Sequence, residues 1–342
     1  MKYLFKKVFN LIFLFPKSLQ IKFIRHIFRN FSEISDNFLT YHFRPKFFKD
    51  MYIKNNVNDE EKVAILLQGP IIFEDNFTEE TIKIYKKNFP RAMIILSTWE
   101  EHKDIIYKHF SNLGIFLIFN KKPKFSGPKI DKFTNSNINY QIISTKSGVL
   151  LAKKHKAKYI LKTRTDCRLY SNNYVTYLIN LLKLFPSQSK LQKFRIISTN
   201  FTLKYRIYSF SDILLFGHID DILKYFEYSN ILETNNVFSN YFKIYFLNKD
   251  KKIFDFKKFV PEVYLFINYL NQLNEKVLWT KDNYYNLLSK FFIIIDNCHL
   301  DFFWNKHNKE LEYREKSYNK SKSVNINFSE WLELYLKSNK IK

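Results

Sequence analysis

Hydrophobic positions along the chain gather into short continuous runs separated by longer mixed segments. Val63-Ala64-Ile65-Leu66-Leu67 is apolar throughout, as expected of a strand buried on both faces in a parallel sheet, and it ends at Gln68-Gly69-Pro70. Thr78 to Phe89 is helix-compatible, with Glu79 and Glu80 in its first turn and Lys86 and Lys87 in its last, matching the helix dipole, and Pro90 stops it. A strand from Met93 to Leu96, a helix near His102 to Phe110 ended by Gly114, and a strand from Ile115 to Phe119 follow. A long helix then runs roughly from Asn137 to His155, and a strand from Lys158 to Lys162. Later segments read as a strand from Arg195 to Thr199, a strand Asp212 to Gly217 leading into a helix with Asp220 and Asp221 in its first turn, a helix opened by Pro261, and a strand from Phe291 to Ile295.

Strands alternating with helix-length segments predict an α/β fold with a doubly wound, mostly parallel sheet. Ligands of such sheets bind beyond the carboxyl ends of the strands. Function is therefore to be sought at Gln68-Gly69-Pro70, at Ser97-Thr98-Trp99-Glu100 and at Thr163-Arg164-Thr165-Asp166-Cys167-Arg168.

The ends of the chain differ from this core, and the pattern divides it into an N-terminal extension (1–55), a main domain (60–304) and a tail (305–342). The apolar stretch Val8 to Phe15 is far short of the ~20 residues a spanning helix needs. Lys6 and Lys7 precede it as in a signal peptide, but Pro16-Lys17 follows with no small-residue cleavage site. From Leu19, the spacing of Ile21, Ile24, Ile27 and Phe28 against Lys22, Arg25 and Arg29 is helical and amphipathic, which suits either an anionic membrane surface or packing on the domain. A charged linker, Asn55 to Lys62, separates it from the core. In the tail, otherwise exposed in character, Phe328, Trp331, Leu332 and Tyr335 are spaced for a short helix that docks on the domain or on a membrane.

Composition narrows the chemistry. The chain has 342 residues, 46% of them hydrophobic, enough for a large core. Its five glycines lie at least 13 residues apart, which excludes both a GxGxxG dinucleotide turn and a GxxxxGK phosphate loop. Two cysteines, with no CxxC, HExxH or GxSxG, exclude a disulfide framework, zinc modules and nucleophile-elbow hydrolases. The net charge of +24 suggests a polyanion, yet only nine of the 56 cations are arginine. Lys, Asn, Ile, Phe and Tyr all use A/T-rich codons, so genome bias alone supplies much of the charge. No clustered arginine or recognition motif points to nucleic acid.

Against that lysine bias, two arginines bracket Asp166 directly after a hydrophobic strand. Arginine offers the planar fork that lysine lacks, suited to a diphosphate or carboxylate, and an aspartate there has the chemistry to hold Mg²⁺ or Mn²⁺ beside substrate phosphates. The alternative is a strand-end salt bridge from Asp166 to Arg164 or Arg168. Asp212 reads as reaching the acceptor side of a cleft or as a structural cap. Glu262 reads as a helix-start residue or as a general base, and His299 as a phosphate or metal ligand or a satisfied surface side chain.

The segments Ile65–Ile71, Thr81–Pro90, Ile94–Glu100 and Tyr159–Arg168, with Asn139-Tyr140-Gln141-Ile142 and Gly148, Ser211-Asp212 with Phe216-Gly217, and more loosely Pro261-Glu262, resemble the WavE family in order and spacing over roughly residues 60 to 300. These are lipopolysaccharide-synthesis proteins regarded as glycosyltransferases with a GT-A-like, nucleotide-sugar-binding fold. The resemblance implies transfer of a sugar from a nucleotide-diphosphate or CMP donor to a lipid-linked saccharide, at the cytoplasmic face of a bacterial inner membrane. It places Gln68, Gly69 and Pro70 against the nucleotide, with Thr98, Trp99, Glu100, Asn139 and Gln141 completing the pocket. Arg164, Asp166, Arg168, Asp212 and Glu262 are then the candidate catalytic residues. Asp166 stands in the place of the metal-binding aspartate of an Asp-x-Asp motif, but Arg164 and Arg168 stand where a second aspartate is needed, so guanidinium groups are an alternative to metal. Two rival readings remain: a nucleotidyltransferase, which generally has a Gly- and Lys/Arg-rich loop unlike Gly69-Pro70-Ile71-Ile72-Phe73, and a non-catalytic membrane-surface scaffold.

Overall fold

The strands, in chain order, are β1 (Val63–Gln68), β2 (Met93–Trp99), β3 (Phe116–Asn120), β4 (Tyr159–Arg164), β5 (Cys167–Leu169), β6 (Ile196–Thr199), β7 (Leu215–His218), β8 (Phe292–Ile295) and β9 (Phe302–Trp304). The α-helices are α1 (Lys17–Ile34), α2 (Phe77–Asn88), α3 (Lys103–Phe110), α4 (Ile138–Lys154), α5 (Tyr174–Leu184), α6 (Ile219–Tyr225), α7 (Pro261–Gln272), α8 (Lys281–Phe291) and α9 (Phe328–Lys340). This computed structural model describes residues 14–34, 44–51, 62–128, 135–204, 206–227, 260–307 and 325–340. The start of the N-terminal apolar stretch, most of the charged linker, and tail residues 308–324 lie outside them.

The chain divides into two units, Met1–Pro45 and Lys46–Lys342. In the first, α1 is the amphipathic helix the spacing predicts, with Leu19, Ile21, Phe23 and Ile27 exposed. No helix among the described residues is long and apolar enough to cross a membrane.

The second unit is built on a seven-stranded sheet of order β3-β2-β1-β4-β7-β6-β8, flanked by helices. β1 is buried along its whole length, and β2 and β4 flank it in parallel. β3 continues parallel to β2, whereas β7 runs antiparallel to β4 and β6, and β8 pairs with β6 in parallel. The sheet is thus mixed α/β and mostly parallel, as expected. A separate two-stranded ribbon pairs β5 with β9.

Several elements start and stop for the reasons read from the sequence. α2 carries Glu79 and Glu80 at its start and Lys86 and Lys87 at its end, and Pro261 sits at the first turn of α7, where its missing N–H costs nothing. One strand start moves. The segment beginning at Asp212 joins the sheet only from Leu215, because its carbonyls are spent on side chains: Ser198 Oγ lies 2.6 Å from Ser211 O and 2.8 Å from Leu214 O, and Lys162 Nζ donates to Asp212 O.

The C-terminal helix docks on the domain. Trp331 is fully buried, donates from Nε1 to Phe292 O at 2.9 Å, and meets Phe185 edge-on.

Helix α4 crosses the centre of the sheet close enough that a Cβ on Gly148 would stand 2.3 Å from Leu66 Cδ1. That approach brings its N-terminal half, with Gln141 and Ser144, against the end of β1. Gly148→Ala is expected to overpack this contact and cost about 1–3 kcal/mol, read as a lowered Tm with an unchanged far-ultraviolet spectrum.

Candidate functional site

The strand order turns around between β1 and β4, which lie side by side with Gln68 opposite Arg164. This is a topological switch point, where loops diverge and leave a crevice. Hydrogen bonds stitch the two loops together. Thr165 N donates to Gln68 O at 3.1 Å, Thr165 Oγ1 to Pro70 O at 2.5 Å, and Thr78 Oγ1 to Thr165 O at 3.1 Å. Gly69 has φ +123°, and a Cβ there would come within 3.1 Å of Thr165 Oγ1, so the turn requires glycine. Gln68 is held from α4 by the Ser144 hydroxyl, 2.8 Å from its Oε1.

Arg164 and Asp166 form a bidentate pair at the end of β4 and the turn that follows it, Nε to Oδ1 at 2.8 Å and Nη2 to Oδ2 at 2.9 Å. The pairing predicted as one alternative is therefore real, but it does not exhaust the arginine. Its side chain is 34% exposed, and Nη1 has no acceptor among the described residues. Trp304 Nε1 donates to Asp166 Oδ2 at 3.0 Å, and the Arg164 guanidinium lies 5.4 Å from the Trp304 ring centre. Burial pushes the Asp166 pKa up, but the hydrogen bonds and charge of Arg164, with Trp304, outweigh it and hold the carboxyl below its ordinary value. Trp304 is a site residue that the sequence reading missed. It lies 138 residues away and reaches Asp166 through the β5–β9 register, Cys167 opposite Trp304.

Both oxygens of Asp166 already accept hydrogen bonds from Arg164 and Trp304, so a divalent metal on this carboxylate would have to displace a protein donor.

Arg168, predicted as a catalytic partner of Asp166, is elsewhere. The chain turns at Thr165-Asp166, and β5 sends the Arg168 side chain against α2, where it is fully buried. It donates to Thr81 Oγ1 at 2.8 Å, Phe77 O at 2.9 Å, Lys46 O at 2.8 Å and Tyr170 OH at 3.2 Å, and stacks 4.3 Å from the Phe77 ring centre. It braces the segment before β1 and the start of α2.

A second group of charges lies alongside. Gln141 Nε2 donates to Asp212 Oδ2 at 2.5 Å, and Lys162 on β4, fully buried, donates to the Asp212 carbonyl. Glu262, in the first turn of α7, is part of the same cluster: burial, then the charge of Asp212, pushes its pKa up to about 7, with Arg206 and Lys162 opposing. A carboxyl raised toward neutrality by burial and a neighbouring negative charge, as Glu262 is, has the proton affinity a general base near neutral pH requires.

Residues 63–341 match the model of the family described as WavE lipopolysaccharide synthesis. The chain belongs to the WavE family. No curated protein sequence matches it. Similar solved structures include a cytidylyltransferase from Leptospira borgpetersenii serovar Hardjo-bovis, 13% identical over 82% of this chain and 97% of that one, with a TM-score of 0.36. Another is a 4-diphosphocytidyl-2C-methyl-D-erythritol synthase from Anaerococcus prevotii, 12% identical over 62% and 100%, TM-score 0.33. Mouse xyloside xylosyltransferase 1 is 6% identical over 69% and 85%, TM-score 0.32. Likenesses this loose carry no weight for the site.

Other residues predicted for this WavE protein's pocket have mainly internal partners. Trp99 is buried with its ring centre 5.2 Å from that of Tyr140 on α4, the rim-packing alternative. Thr98 is buried, and Asn139 donates from Nδ2 to Phe125 O at 3.0 Å, fixing the loop after β3. Glu100 and Pro70 are exposed. His299 pairs with Tyr177 OH at 3.0 Å.

Proposed function

We propose that the protein is a glycosyltransferase of lipopolysaccharide or related surface-glycan assembly, using a nucleotide-sugar donor in a GT-A-like cleft at the β1–β4 switch point. The observation that supports this most is the Arg164 guanidinium, anchored through Nε and Nη2 while Nη1 remains available. Such a fork suits a diphosphate. In a direct displacement, the acceptor hydroxyl oxygen attacks the anomeric carbon and the bond to the diphosphate breaks with its electron pair on the leaving oxygen. Arg164 meets that charge, and the hydroxyl proton passes to the Asp212–Glu262 pair. Gln68 and the Gly69-Pro70 backbone form the wall against the nucleotide.

The donor is tested by melting the protein with UDP, CMP or GDP, with Mn²⁺ or with EDTA. Saturation at 100 times Kd stabilises by about 2.7 kcal/mol, so one nucleotide is expected to raise Tm by several degrees with EDTA present. No shift with any nucleotide would sink the transferase reading, and a shift seen only with Mn²⁺ would sink the guanidinium account.

The acceptor in this reading is a lipid-linked saccharide at the inner face of the inner membrane. α1 supports it, pairing exposed Leu19, Ile21, Phe23 and Ile27 with Lys22, Arg25 and Arg29. Full-length protein is expected to float with vesicles containing anionic phospholipid and a form lacking the first 40 residues is not; equal flotation overturns the membrane role.

A further inference from the structure

Strand polarity collects more than the β1–β4 pair at one edge of the sheet. β7 runs antiparallel to both β4 and β6, so β6 points the same way as β4, and β8 pairs with β6 in parallel. The carboxyl ends of β1, β4, β6 and β8 therefore lie along the edge where ligands of such sheets bind. Two aromatic side chains meet there from distant parts of the chain. Phe201 follows the end of β6, and Trp304 ends β9, whose pairing with β5 sets it opposite Cys167. Their rings pack edge to face with centres 5.7 Å apart, and Phe201 also meets Phe302 at 5.7 Å. Both Phe201 and Trp304 remain partly exposed.

Trp304 is held by the same residue that anchors Arg164. Its Nε1 donates to Asp166 Oδ2 at 3.0 Å, the amide of Asn305 donates to Asp166 O at 2.9 Å, and the Arg164 guanidinium lies 5.4 Å from the ring centre. Donation to a carboxylate pushes electron density into the indole and strengthens the negative potential of its face. A ring fixed in advance, electron-rich and partly open is a stacking surface that loses little entropy on binding. What stacks on it follows from reach. In a nucleotide sugar, the ribose and phosphates separate the base from the leaving oxygen, whereas the sugar is bonded to that oxygen directly. A ring 5.4 Å from the guanidinium that meets the leaving phosphate is therefore beside the sugar and not beside the base. The C–H bonds on the face of a pyranose are slightly positive at hydrogen, which suits the face of an indole.

We propose that Trp304, braced by Phe201 and Asp166, is the platform on which the ring of the transferred sugar stacks, so that it selects for a pyranose and not for the nucleotide. The inference rests on the reading of Arg164 as the group that meets the leaving phosphate. It gives Asp166 a second task. Oδ1 and Oδ2 take the guanidinium while Oδ2 also takes the indole N–H, so one carboxylate sets the phosphate donor and the sugar platform in a fixed relation to each other.

Trp304→Leu and Trp304→Phe both lose the Nε1 bond to Asp166, but only phenylalanine keeps a ring, so comparing the two isolates the stacking. The probes are UDP-glucose, UDP-N-acetylglucosamine, GDP-mannose and CMP-N-acetylneuraminate, each titrated by calorimetry beside its free nucleotide. The nucleotide sugar that binds wild type is expected to bind Trp304→Leu about five- to tenfold more weakly than Trp304→Phe, while the free nucleotide binds both variants alike. Equal weakening of nucleotide and nucleotide sugar overturns the proposal, because Trp304 then acts through Arg164 or on the base, and so does no weakening of either. If the leucine variant does not fold, wild type carries the test: the Trp304 indole N–H resonance, assigned with Trp304→Phe, is expected to move further with the nucleotide sugar than with the nucleotide, and equal movement overturns the platform. The transferase reading fails by a different result, a wild-type protein that binds no nucleotide and no nucleotide sugar. Methyl glucoside and methyl mannoside then decide the platform alone, a moving Trp304 resonance supporting it and an unmoved one overturning it.

Discussion

Arg164→Lys is expected to cut transfer from the nucleotide-sugar donor by about 10²–10³-fold, the usual effect of removing one preorganised donor from a developing anion. The reason is geometric. The guanidinium spends Nε and Nη2 on Asp166 and keeps Nη1 for a ligand, so one side chain both anchors itself and offers a fixed donor. A lysine ammonium either pairs with Asp166 or turns to the phosphate, and in neither case is it held as a planar fork. Stability is expected to fall by no more than about 1 kcal/mol, since the pair is partly open to solvent. Asp166→Asn tests the anchor from the other side: it removes the charge that orients Arg164 while keeping the acceptor for Trp304, and transfer is expected to drop with nearly unchanged melting. Steady-state kinetics with the donor found by the melting screen, beside calorimetry, checks both, and Arg164→Lys turnover equal to wild type would remove the guanidinium from the mechanism.

Arg168→Met is expected to have the opposite profile, a loss of folding rather than of chemistry. Its guanidinium is fully buried and bonds Thr81, Phe77, Lys46 and Tyr170. Methionine fills part of the volume but leaves those buried acceptors unpaired, at about 1–3 kcal/mol for each one that water does not reach. A total of about 3–5 kcal/mol corresponds to a Tm lower by about 10 °C. Arg168→Lys is expected to recover only part of it, because one ammonium does not span acceptors on α2, on Tyr170 and on the segment before β1. Transfer per folded molecule should match wild type; a selective loss of transfer at unchanged Tm would restore Arg168 to the active site.

The two arginines show how far a motif is legible as sequence. Arg164, Asp166 and Arg168 stand at equal spacing, and the scarcity of arginine marks both as selected. Spacing predicts a common site only while the backbone stays regular. The turn at Thr165-Asp166 breaks that regularity and sends Arg168 to a different layer. Trp304 and Lys162 were illegible for different reasons. Trp304 is brought in by pairing between two three-residue strands, too short to leave a periodic signal. Lys162 stood in plain view in the motif, but in a chain so rich in lysine nothing local told a buried ammonium from a surface one.

Read alone, the chain carries the layered α/β order, the positions of β1, β2 and β4, and the helix boundaries at Pro90 and Pro261. These follow from local physics: which residues are apolar, which complement a helix dipole, and where proline stops or opens a helix. The assembled fold alone reveals that Arg164 stays partly exposed at the strand end while Arg168 is fully buried, that Asp166 spends both oxygens on protein donors, and that buried Lys162 bonds the Asp212 backbone. The meeting of Lys162 with Asp212 and of Trp304 with Asp166 depends on contacts between residues 50 to more than 130 positions apart. Burial and charge at such contacts are properties of the assembled sheet and helices, which no stretch of the chain carries alone.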